Sequence, residues 1–212
     1  MTADPETTLR ADARRNRDQI LAAAKGIFAV SGPEVPMEEI ARAAGVGVGT
    51  LYRRFPDRDA LIRAVAVDNF ERVLVEAKVI AAQGSSSWDA LVQMLRQSIE
   101  LQLSVQLAMV SHRALAILKG DPEVRNLRDE ILDVLDGFVR GAQAEGVLRT
   151  DIGAGDIAIV FATMLRQMPA KTDAVAKLAA ERCVGIMING LSARAATPLP
   201  GRALTAADLD PE

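Results

Sequence analysis

The apolar residues Ile20, Leu21, Ala24, Ile27 and Phe28 recur at i, i+1, i+4, i+7 and i+8, which places them on one face of a helix over residues 13–31. Gly32-Pro33 ends that run. The pattern predicts a short second helix over 37–44, with Met37, Ile40, Ala41 and Ala44 inward and Glu38, Glu39 and Arg42 outward. Gly45 stands where a left-handed residue closes a helix. A third short helix follows over 48–55: Val48, Leu51 and Phe55 share its inner face, Thr50, Arg53 and Arg54 point outward, and Tyr52 lies at the margin. Pro56 stops it, and Asp57 is placed to cap a long helix over 58–82.

Beyond Gly84 the same period predicts helices over 88–118, interrupted near Gln106, then over 122–144, 156–168 and 173–191. Gly120-Asp121-Pro122, Gly146, Gly153-Ala154-Gly155 and Pro169 separate them. From Ala193 onward the chain is rich in small residues and broken by Pro198, Pro200 and Pro211, so that tail is expected to be loose. The fold class expected is all-α.

Composition agrees: half of the 212 residues are apolar, only 3% are aromatic, and Ala, Leu, Val and Ile dominate. Cys183 is the single cysteine, which excludes an internal disulfide and a cysteine zinc cluster; it is expected as a small buried hydrophobe in a reducing compartment. No apolar run approaches the ~20 residues of a membrane span, and "MTADPETTLR" lacks a signal peptide's apolar segment, so a cytoplasmic location is expected and no membrane partner. The net charge of −3 argues weakly against a polyanion partner until its distribution is considered. Residues 10–60 carry nine basic and seven acidic side chains, while 61–212 carry 16 and 19. The basic excess sits around the two short helices.

Gly45, Gly47 and Gly49 raise a specific alternative, a phosphate loop of a nucleotide enzyme. A dinucleotide fingerprint counted from Gly45 needs glycine where Thr50 stands, and counted from Gly47 needs it where Tyr52 stands. The preceding segment is helical in period, and no Gly-Lys-Ser/Thr triplet follows. Two short helices around a glycine turn, the second presenting small and polar groups outward, instead describe a helix-turn-helix. In that arrangement Ala41 permits close approach, Gly45 turns the chain, Gly47 caps the second helix, and Leu51 and Phe55 anchor it on Ile20, Ala24 and Phe28.

The stretches "RDQILAAAKGIFAVSG", "MEEIARAAGVGVGTLYRRF" and "PDRDAL" stand in the order and spacing of the tetracycline-repressor (TetR) family of bacterial transcriptional regulators. The chain resembles that family strongly over residues 14–65 and more loosely beyond. The resemblance implies an N-terminal three-helix DNA-binding domain, linked through a fourth helix to a larger C-terminal helical domain for dimerisation and effector binding. On this basis the chain divides into a flexible basic-flanked arm (1–12), a helix-turn-helix DNA-binding domain (13–60), an effector-binding and dimerisation domain (61–192) and a loose tail (193–212).

At the DNA end, Gly49 lets backbone approach the duplex, and Thr50 can reach a base edge or thymine methyl in the major groove. Arg53 and Arg54 can fork onto guanine or phosphate. The resemblance implies that Tyr52 donates its hydroxyl to phosphate and that Arg58 holds a phosphate-contacting basic position; Arg14, Arg15 and Arg17 look like an arm over the neighbouring backbone. Two positions depart from the family pattern. Pro36 replaces the Ser or Thr often found before the second helix, leaving backbone amides alone there, and Val48 stands where many relatives are polar.

In the C-terminal part, the segments over 156–168 and 173–191 are apolar on more than one stripe. By resemblance the last two helices pair with their twins in a homodimer, which sets two recognition helices about 34 Å apart on a roughly palindromic double-stranded DNA operator. Trp88, Met94, Phe138 and Met164 could wall an effector pocket, with Gln102, Gln106, Met109, His112 and Arg113 offering further contacts. His112 has no acidic residue three or four positions away, so neither a metal nor another cofactor is expected. The chain shows no nucleophile paired with a base, so an enzyme is not expected. A ligand-responsive repressor is the leading reading; the alternative is a helix-turn-helix regulator without an effector, constitutive or controlled by a protein partner.

Overall fold

The computed structural model describes residues 5–97, 112–167, 174–194 and 197–209, and among them regular structure is helical apart from one isolated bridge between Leu148 and Ser192. The helices are α1 (Pro5–Ser31), α2 (Met37–Ala43), α3 (Val48–Arg54), α4 (Arg58–Ala82), α5 (Ser87–Gln97), α6 (His112–Gly120), α7 (Pro122–Ala144), α8 (Ala154–Gln167) and α9 (Ala174–Leu191), with a 3-10 turn at Ala206–Leu209. The all-α class is as expected from the hydrophobic period.

Helix ends follow local chemistry. The carboxylate of Asp57 accepts from the Ala60 amide at 2.8 Å and starts α4. Asp121 starts α7 in the same way, accepting from the amides of Glu123 (2.9 Å) and Val124 (3.0 Å), with Pro122 preorganised in the first turn. Gly45 adopts φ +68°, a conformation that costs a side-chain-bearing residue about 1–2 kcal/mol, and turns the chain out of α2.

One boundary differs from expectation. Residues 5–12 are not an arm but the first turns of α1, which begins at Pro5. Proline suits a first helical turn, and Gly26 is the first glycine of the segment, so nothing local stops the helix earlier. The segment 98–111, with the interruption expected near Gln106, lies outside the described residues.

Two apolar cores sit at opposite ends of α4. The first joins Ile20, Leu21, Ala24 and Phe28 of α1, Met37, Ile40 and Ala41 of α2, Leu51 of α3 and Leu61, Ile62 and Val65 of α4. Ala114 of α6 is buried in it too. The second gathers Val73, Leu74, Ala77 and Ile80 of α4 with residues of α5, α7, α8 and α9. Between them Ala66, Val67, Leu118 and Val124 form a small third cluster where α4, α6 and α7 meet.

Polar links reinforce this joint. Lys25 of α1 reaches Asp68 of α4 at 2.5 Å, and Arg63 of α4 binds Asp121 and, at 2.6 Å, Glu123 at the start of α7. Burial pushes the Asp121 carboxyl up, but Arg63 and the two helix amides outweigh it and hold it below the usual carboxylate range. At Asp68 burial is likewise outweighed, by Lys25 and Arg72.

The tail beyond Ala193, expected to be loose, is exposed over 197–202 yet tied to the rest of the chain by hydrogen bonds where described. Arg149 donates to the Thr197 carbonyl at 2.7 Å, and Asp151 accepts from the Leu199 amide at 2.9 Å. Asp156 accepts from the amides of both Gly153 and Leu204 at 2.8 Å, and the Gly155 amide donates to the Leu204 carbonyl at 3.0 Å. A β-carbon on Gly153 would collide with the Leu204 carbonyl oxygen, and one on Gly155 with those of Leu204 and Thr205, so the two glycines form a notch for the tail. Composition gave no sign of this because every partner is about 50 residues away in sequence or on the backbone.

Candidate nucleic-acid interface and interior cavity

α2 and α3 join through Ala44, Gly45, Val46 and Gly47, with the Val46 amide bonded to the Ala41 carbonyl at 3.0 Å. Gly47 caps α3 in extended geometry without a side chain, and its carbonyl accepts from the Thr50 amide at 2.8 Å. Pro36 likewise caps α2 with no side-chain bond. Leu51, fully buried, and Phe55 fix α3 to the first core. The rest of α3 is turned outward.

That outward face carries the residues singled out from the sequence. Tyr52 is 41% exposed, Arg53 and Arg54 are exposed, and Thr50 is half-buried. Arg53 donates to the Thr50 hydroxyl at 3.0 Å, which holds the two groups side by side on the surface. Gly49 has open space where a β-carbon would project. Val48, expected on the inner face, is 39% exposed instead, because as the first residue of a seven-residue helix it lies beyond the edge of the core that Leu51 and Phe55 fill. It therefore belongs to the outward face.

Arg58 has a second task. Its Nη1 donates to the carbonyl oxygens of Pro33 and Val35, stapling the start of α4 to the turn between α1 and α2. Two of the five guanidinium N–H donors are committed there. Arg14, Arg15 and Arg17 are exposed on α1, where Arg15 pairs with Asp12 at 3.6 Å. They stand on a helix, not on an extended arm.

Within the second core lies a cavity of about 300 Å³. Its walls come from Phe70 of α4, Met94 of α5, Leu132 of α7, Ile157 and Phe161 of α8, and Leu209 of the tail. Met94 was anticipated. Trp88, Phe138 and Met164 pack in the surrounding core without forming the wall. Gln102, Gln106 and Met109 lie outside the described residues; His112 and Arg113 open α6, and their side chains also lie outside them. The wall contributed by Phe70, Leu132 and Leu209 was missed, since a gap between helices leaves no signature in the period of any one of them. Arg128, at the cavity, bonds Asp129 at 3.1 Å.

α8 and α9 leave apolar side chains uncovered: Ile159, Val160, Leu178 and Ile186, the last 67% exposed. Cys183, expected to be buried, is exposed on the same helix as Ile186. Among the described residues no cluster of His, Cys, Asp and Glu could hold a metal, and no helix is long and apolar enough to cross a membrane.

Comparison with known proteins gives a consistent picture. The family model described as bacterial regulatory proteins, tetR family, matches residues 20–65, the stretch that contains α2, α3 and the start of α4. The structure is similar to that of the TetR transcriptional regulator SCO0520 from Streptomyces coelicolor, at 30% identity and a TM-score of 0.64, covering 83% of this chain and 98% of that one. It is also similar to a TetR regulatory protein from Mycobacterium vanbaalenii, at 30% identity and a TM-score of 0.59, covering 87% and 99%. In sequence it is 26% identical over 155 residues to the HTH-type transcriptional regulator NfxB of Pseudomonas aeruginosa, covering 72% of this chain and 81% of that protein.

Proposed function

Because the chain belongs to the TetR family of helix-turn-helix, DNA-binding transcriptional regulators, we propose that it grips a roughly palindromic operator as a homodimer and releases it when a small molecule enters the second core. The observation that carries this reading is the outward face of α3, where Thr50, Tyr52, Arg53 and Arg54 stand on a helix clamped by Leu51 and Phe55. Thr50 and Arg53 read base edges, Tyr52 and Arg54 hold phosphate, and Gly49 admits the backbone. Arg14, Arg15 and Arg17 reach the flanking backbone from α1, and the remaining donors of Arg58 face phosphate. Residues 13–60 act as the reader and 61–192 as the sensor and dimer. The uncovered faces of α8 and α9 pair across a two-fold axis, setting two copies of α3 about one DNA turn, ~34 Å, apart.

Ligand control is favoured over an effector-free regulator by the cavity and by what surrounds it. α7 lines the cavity with Leu132 and, at its other end, holds Arg63 of α4 through Asp121 and Glu123. A shift of α7 therefore moves α4 and the spacing of the two recognition helices. A coupling of about 1–3 kcal/mol is enough to alter operator occupancy usefully.

Selection of genomic fragments with purified protein, followed by gel shifts on the DNA flanking its own gene, tests the reading. Sequence-specific retention by the dimer is expected, and Tyr52→Phe and Arg53→Ala each weaken it. Specific binding unchanged in both variants overturns the assignment of α3 as reader.

A further inference from the structure

The chemistry of the cavity says what it can hold. Phe70, Met94, Leu132, Ile157 and Phe161 supply hydrocarbon walls, and Arg128 at its edge is already bonded to Asp129. A ligand charge placed there would lose its hydration and gain no uncommitted partner among the hydrocarbon walls. A cavity of about 150 Å³ accommodates benzene, so 300 Å³ accommodates about 12 non-hydrogen atoms.

One wall is peculiar in origin. Leu209 comes from the C-terminal tail, in the 3-10 turn that Asp208 closes by accepting from the Thr205 amide at 2.9 Å and by pairing with Arg202. Upstream, Asp156 at the start of α8 binds the Leu204 amide, and the Gly153-Gly155 notch seats the chain. Asp156 is thus tied to the tail one residue before Ile157, itself part of the cavity wall.

We propose that the cavity binds an uncharged, mainly apolar molecule of about 12 non-hydrogen atoms, and that the tail through Leu209 is a wall of that binding site. The inference rests on the reading of the second core as the sensor. A ligand in contact with both Leu132 and Leu209 presses on α7 from one side and on the tail from the other.

Titration calorimetry of the full chain with decan-1-ol and with decanoate, which share one carbon chain and differ in charge, tests it. Decan-1-ol is expected to bind about tenfold or more tighter than decanoate. Ala162→Phe, which fills the cavity, abolishes that binding, and Leu209→Ala weakens it roughly three- to tenfold, with helix content and a cooperative urea transition confirming that both variants fold. Decanoate binding as well as decan-1-ol, neither binding, or Leu209→Ala binding like the native chain overturns the proposal. Decan-1-ol binding in the cavity with no change in operator occupancy upholds the ligand class and overturns ligand control instead.

Discussion

At one end of α4, Ile20, Ile40, Leu51, Leu61 and Ile62 are completely removed from solvent, and they hold a seven-residue helix whose outer face is polar and basic. At the other end a larger set of helices lines a half-open cavity of about 300 Å³ and leaves Val160 and Ile186 52% and 67% exposed. A closely filled core fixes side chains in one arrangement, whereas a core with a void admits a guest and tolerates alternative packing. In the proposed function the first core presents Thr50, Tyr52, Arg53 and Arg54 to DNA, and the larger end responds to a ligand. The contrast also explains why α4 is continuous from one core to the other. In the proposed function it is the element through which a change in the second core reaches the first.

The most forceful way to break the contrast is Leu51→Ala. It opens a void in the filled core and is expected to cost about 2–5 kcal/mol, seen as a lowered urea midpoint together with loss of operator binding. A loss under 1 kcal/mol would mean that the first core is as yielding as the second.

Arg58→Ala separates two roles of one side chain. Loss of its bonds to the Pro33 and Val35 carbonyls should reduce stability by about 1.5–3 kcal/mol even without DNA. An unchanged melting temperature with weakened DNA binding would leave phosphate contact as its only task.

At the responsive end, Gly155→Val drives a side chain into the Leu204 and Thr205 carbonyl oxygens and should displace the tail at a cost of about 1–3 kcal/mol. Limited proteolysis beyond Ala193 then accelerates while ligand-free operator binding is retained. Loss of operator binding in this variant would show that the tail serves the reader as well.

The smallest effect belongs to the joint. Asp121→Ala removes the cap of α7 and the partner of Arg63, at about 1 kcal/mol. Because the folded-state carboxyl titrates below its ordinary value of about 3.9, its contribution is complete above that pH and disappears as pH falls through the lower folded-state value. The gap in denaturation midpoint between native chain and variant should therefore be full at neutral pH and narrow progressively as the solution is acidified below about pH 4. A gap that does not change on acidification would contradict the pairing.

How far each end was legible follows from the same contrast. The first core rests on local rules: the i, i+4, i+8 spacing of Ile20, Ala24 and Phe28, the left-handed Gly45, and the Asp57 cap lie within a few residues of what they organise, and all appear as expected. Val48 was misplaced because a helical period alone cannot say where a core ends. In the larger part, helix positions followed the period, but the cavity wall and the tail did not. Asp156 bonds the Leu204 amide, and Leu209 lines the same cavity as Leu132, through an arrangement that no local pattern encodes. Residue type alone puts Cys183 in a core, yet it is exposed on α9, the helix that also leaves Leu178 and Ile186 uncovered.

The measurement that bears most directly on the account is fluorescence anisotropy of the dimer on a labelled operator and on a shuffled duplex, across a range of salt, for the native chain and Arg53→Ala. The account predicts tight, salt-dependent binding that favours the operator, with Arg53→Ala losing about 1–3 kcal/mol on the operator and little on the shuffled sequence. Equal affinity for both duplexes, or an Arg53→Ala variant as selective as the native chain, would contradict it.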